Sequence, residues 1–179
     1  MTTERNEQQR KNREMIRKLR SGREDVIIDT IKTLRHTGNR EVLPEVIDLA
    51  SAGISDDVTD TCISLLNDLK DKQSAAVITE AIRQNRNREN LNRIVAACWQ
   101  NGLDYSQEID LFIDLVIEED FATAIEAFTV IEENIHSLSM AEREKRAAVI
   151  ESRQKEAGEE KQALVRELIA IVKTFPSLN

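Results

Sequence analysis

The sequence predicts an all-α chain, an α-solenoid of about four helical hairpins closed by a C-terminal capping helix. Three observations predict it. Apolar residues recur with helical spacing in segment after segment. Only five Gly and two Pro occur in 179 residues, too little turn chemistry for a strand-rich fold. Corresponding apolar positions also return at a nearly constant interval, the mark of stacked helical units.

Each element carries its own punctuation. Residues 1–14 hold no apolar side chain after Met1 and read as a basic, flexible arm. Met15, Ile16 and Leu19 can pack, as half of a hairpin. Ser21-Gly22-Arg23-Glu24 reads as a capping box opening a helix with Ile27, Ile31 and Leu34, which stops at Thr37-Gly38. Near Asn39 a second helix begins, with Pro44 tolerated in its first turn, then Val46, Ile47 and Ala50 before Ala52-Gly53. Ser55 caps the next, whose apolar face is Val58, Cys62, Leu65, Leu66 and Leu69. Val77, Ile78, Ala81 and Ile82 mark another helix, and Leu91, Ile94, Val95 and Cys98 one that ends at Asn101-Gly102. Residues 105–118 and 121–136 complete the series.

The repeat is explicit. Leu43, Ile78 and Ile113 occupy one place in three first helices, 35 residues apart each time. Val26, Val58, Leu91 and Phe121 open four second helices at intervals of 32, 33 and 30. Beyond the repeat, which spans 15–138, residues 139–179 hold a charged helix opened by a Ser139–Glu142 capping box. A break follows at Gly158, and the last segment is strongly apolar. That segment reads as a cap over the last hairpin. Its alternative is a homodimer helix, because Leu164, Leu168, Ile171 and Phe175 fall at heptad-like spacing.

Composition narrows the functional classes. Residues 39–137 carry seven Lys/Arg against twenty Asp/Glu, a middle that repels phosphate backbones. The longest purely apolar run is six residues, Ile94 to Trp99, followed by five from Leu168 to Val172, far short of the ~20 needed to span a bilayer. With no apolar leader after the N-terminus, a cytoplasmic protein with no membrane contact is expected. Cys62 and Cys98 lie on apolar stripes, where buried free thiols are expected rather than a disulfide.

Catalytic chemistry has no foothold in the pattern. His36 and His136 lie 100 residues apart, each near a helix C-terminus. No His or Cys pair has metal-ligand spacing, and no Gly-rich phosphate loop or nucleophile elbow occurs. The expectation is therefore no enzyme, no metal and no cofactor. Asp110, Asp114 and Glu118 form an acidic stripe, read as a solvated face or, more sharply, as a dock for a basic partner. Arg83, Arg86, Arg88 and Arg93 cluster at one turn, and the N-terminal arm is basic. Trp99 and Tyr105 read as packing residues.

Between Gly38 and Leu69 the chain resembles a HEAT repeat. The first helix has Leu43-Pro44, the second opens with Asp57-Val58, and Cys62 supplies the small residue before a Leu pair. The match loosens through residues 72–101, where Asn90-Leu91 replaces Asp-Val, and covers about 23–137. HEAT-like proteins are mostly interaction scaffolds, so the resemblance implies an adaptor for an unknown protein partner. Some are DNA glycosylases, which makes nucleic acid a rival partner, disfavoured by the acidic middle. By that geometry the second helices line the concave side. A 100° wheel then turns Asp29, Lys32, Asp60, Ser64, Asn67, Arg93, Gln100, Thr123, Glu126 and Val130 outward as the partner-binding set.

Overall fold

The computed structural model describes residues 2–37, 39–84, 86 and 89–174, and every regular element among them is helical. Ten α-helices follow in order: α1 Thr2–Leu19, α2 Glu24–Thr37, α3 Leu43–Ala52, α4 Asp56–Asn67 and α5 Ser74–Gln84. Then come α6 Leu91–Gln100, α7 Ile109–Glu118, α8 Phe121–Asn134, α9 Met140–Arg153 and α10 Gln162–Thr174. They divide into two units, Met1–Asn90 and Leu91–Asn179.

Local sequence accounts for most helix ends. The Ser55 hydroxyl accepts from the Val58 amide at the start of α4, and Pro44 sits in the first turn of α3. Gly53 ends α3 with φ of 57°, a left-handed conformation that costs a glycine nothing. At α9 both bonds of the Ser139–Glu142 capping box form. The one proposed at Ser21 does not. The Ser21 amide already donates to the Lys18 carbonyl, 3.1 Å away, and its hydroxyl accepts from Arg23, so Ser21 closes α1 while α2 opens at Glu24. Gly38, the expected stop of α2, lies outside the described residues.

In the first unit α1 packs on α2 and α3, α2 on α4, and α3 on both α4 and α5. Leu19, Ile27, Ile31, Val46, Val58, Cys62, Leu66 and Ile78 are all but inaccessible there. α1 runs back through the segment read as a flexible arm. Asn12 on α1 is buried, donating to the Glu41 carboxylate and accepting from Asn39.

In the second unit α6 packs on α8, α7 on α8 and α9, and α10 on α8 and α9. Its core holds Val95, Tyr105, Phe112, Leu115, Ala127, Ile131, Ile150, Val165 and Leu168. Tyr105 meets Phe112 edge to face with ring centroids 5.7 Å apart. In both units, therefore, a helix rests on the next but one as well as on its neighbour. A single hairpin is too narrow to bury both apolar faces, and this arrangement covers them.

The first-helix positions Leu43, Ile78 and Ile113 are all buried, as the spacing predicts. Of the second-helix positions, Val58 and Leu91 are buried but Phe121 is 45% exposed. The cap explains the departure. Asp120 accepts from the Thr123 amide just as Ser55 accepts from Val58, so Thr123, and not Phe121, is the equivalent of Val58. Counted from Thr123, the interval from Leu91 becomes 32.

Candidate partner-binding surface

Four of the ten predicted site residues meet solvent on α2 and α4 of the first unit. Asp29 and Lys32 are exposed on α2, Asp60 and Ser64 on α4, and Asn67 is half-buried. Lys32, Asp60 and Ser64 line a groove of about 250 Å³ between the two helices, floored by Ile31. Arg35, which the wheel did not select, joins them. Its guanidinium donates to the Ser64 hydroxyl at 2.6 Å and pairs with Asp68 at 3.2 Å. Position alone could have found it, since Arg35 follows Lys32 by one helical turn. The groove presents both signs of charge and a hydroxyl.

The second unit departs from the wheel. Gln100 is exposed, Arg93 and Glu126 are half-buried, but Thr123 and Val130 are 1% and 0% exposed. Those two assignments are corrected: the two-residue shift at the start of α8 turns both into the core. In the corrected register the equivalents of Asp60, Ser64 and Asn67 are Ile125, Thr129 and Glu132. Ile125 is 39% exposed and Glu132 is exposed as well.

Trp99 is corrected too. It is 38% exposed, and its indole N–H donates to the Glu126 carboxylate at 2.7 Å. With α8 packed on α6, the ring lies across the helix junction instead of entering the core. Tyr105 does pack, with no exposure. Beside Trp99 a cavity of about 380 Å³ opens, lined by Asp104, Glu133, Asn134 and His136 among others.

Other charged features are absorbed internally. The acidic stripe of α7 faces α9, where Arg146 pairs with Asp110 at 2.9 Å and Arg153 with Asp114 at 2.6 Å and Glu118 at 2.5 Å. The cationic counterpart of that stripe is thus a helix of the same unit. Lys161 is buried and donates to the carbonyls of Ile117, at 2.6 Å, and Glu119, closing the C-terminal end of α7. No local signal relates residues 44 apart, so sequence reasoning had no way to find that contact. At the N-terminal end of the chain, Lys11 in the basic arm pairs with Glu7, and beyond the arm Lys18 pairs with Glu14 and Arg20 with Glu45. Arg83, Arg86 and Arg93 each have partners, while Arg88 lies outside the described residues.

Both cysteines are free and buried, and loss of hydration pushes each thiol up to about 12. Among the described residues, no group of three or more His, Cys, Asp or Glu is placed to hold a metal ion. Nor is any described helix long and apolar enough to cross a membrane. No family model, curated protein or solved structure matches this chain.

Proposed function

We propose that the chain is a non-catalytic, cytoplasmic adaptor, a HEAT-like α-solenoid that holds a protein partner on the outward faces of its second helices, α2, α4, α6 and α8. The supporting observation is the packing of α2 on α4 and of α6 on α8 with polar and aromatic side chains left at the surface. Side chains held on packed helices bind a partner without a large ordering cost. Both thiols are buried and free, and loss of hydration raises each one's pKa, so neither is a ready nucleophile.

Self-association through α10 rests on Leu164, Leu168, Ile171 and Phe175. Leu168 is buried inside the second unit and Leu164 and Ile171 are half-buried, while Phe175 lies outside the described residues. No observation favours that reading over the adaptor.

The test is capture of partners from native cell extract by the full chain and by Asp60→Lys and Glu126→Lys variants. Asp60 is exposed, so Asp60→Lys should change thermal stability little, whereas Glu126→Lys also removes the acceptor of the Trp99 indole N–H and its capture is read beside its own unfolding curve. The adaptor reading predicts a specific protein recovered by the parent and depleted at least about tenfold with either variant, one buried polar contact's worth. Equal recovery by all three removes the second-helix surface from consideration.

A further inference from the structure

The cavity at the C-terminal ends of α6 and α8 has a chemistry of its own. Trp99 forms one wall, Glu133 supplies an exposed carboxylate and His136 lies at the rim. Asp104, whose Oδ1 accepts from the Ser106 amide, and Asn134, whose side-chain amide is bonded to Tyr105 and Val130, also line it. Neither Lys nor Arg lines it. Both helices end there, α6 at Gln100 and α8 at Asn134, and helix C-termini carry partial negative charge. The surrounding sequence adds to the same field. Residues 91–137 contain ten Asp/Glu against one Lys/Arg, Arg93, and one histidine, His136. Of those carboxylates, Asp110, Asp114 and Glu118 are countered by α9, whereas Glu133 is exposed and has no ion-pair partner among the described residues.

We infer that this cavity receives a cationic side chain, arginine above all, from the partner protein. The inference rests on the adaptor reading and specifies the partner's chemistry at one place. A guanidinium suits the site in two ways. Its flat face stacks on an indole within about 6 Å, and its edge donates to a carboxylate. The Trp99 ring is held ready for the first by its bond to Glu126. Glu133 offers the second. The volume of about 380 Å³ accommodates the guanidinium and its aliphatic stem with water at the rim.

Because Trp99 is the single tryptophan, its fluorescence reports this cavity alone. The experiment titrates the full chain with acetyl-Ala-Arg-Ala-amide, and in parallel with the Leu and Glu analogues. The expected result is a saturable change in Trp99 emission with the Arg peptide only, weakened about tenfold by Glu133→Gln, the loss of one charge-assisted contact. Glu167→Gln, an equal charge change on exposed α10, should leave the affinity within about twofold. No saturable change with the Arg peptide overturns the inference, as does a Leu peptide that binds equally. Equal weakening by the two variants also overturns it, since that is what diffuse attraction to an acidic protein predicts. Should the Arg peptide fail while partner capture still depends on Asp60, the cationic pocket falls and the adaptor reading stands. If capture is also indifferent to Asp60 and Glu126, both fall.

Discussion

α4 opens with Ser55 accepting from the amide of Val58, and α8 opens with Asp120 accepting from the amide of Thr123; from that shared frame the two helices diverge. On α4 the buried face is Val58, Cys62, Leu65 and Leu66, and the outward face is Asp60 and Ser64, with Asn67 half-buried. On α8 the buried face is Thr123, Ala127, Val130 and Ile131, and the outward positions hold Ile125, Thr129 and Glu132. A helix's orientation thus follows from its cap and its neighbours, not from its first large apolar residue. Phe121 is that residue in α8, yet it stands at the first helical position with nearly half its surface in water.

The largest expected effect separates the two registers directly. Ile131→Ala removes a side chain with no exposure and should cost about 2–5 kcal/mol in thermal or denaturant unfolding. Phe121→Ala should cost under about 1 kcal/mol, as an exposed position does. A Phe121→Ala cost of about 3–5 kcal/mol, the range of a core phenylalanine, would restore the uncorrected register and the outward placement of Thr123 and Val130.

A smaller effect tests how the second unit closes α7. Lys161→Met should destabilise by about 1–3 kcal/mol, because the carbonyls of Ile117 and Glu119 lose their donor. Burial holds the Lys161 ammonium below its ordinary value of 10.5. As pH rises toward that value the folded chain sheds a proton that the unfolded chain keeps, so this group's contribution to stability increases with pH. The increase should be absent from the Lys161→Met unfolding curves. Its persistence would assign the effect to other groups.

Much of this architecture could be read along the chain, and the reasons are local. Ser55, Ser139, Pro44 and Gly53 act within a turn of their own position, so their signals survive without knowledge of the fold. The apolar stripes do likewise, and nearly every residue assigned to them is buried. What failed was decided across the fold. Ser21 could not cap α2 because its amide was already taken by Lys18. Trp99 left the apolar side of its helix for a carboxylate 27 residues away. The acidic stripe of α7 found Arg146 and Arg153 on α9, which no 3.6-residue pattern can announce. The candidate site suffered most, since it was defined by what faces away from the core, and on α8 that direction was wrong by two residues.

Site-specific photo-crosslinking would read out which helices touch the partner. A photoreactive residue would be placed in the full chain at Asp60, at Ile125 or, as the reference, at Glu167, three exposed positions on α4, α8 and α10. After irradiation in native extract, the same protein adduct is expected from Asp60 and Ile125, and little or none from Glu167. An adduct from Glu167 alone would place the partner on α10 and contradict the assignment of the binding surface to the second helices.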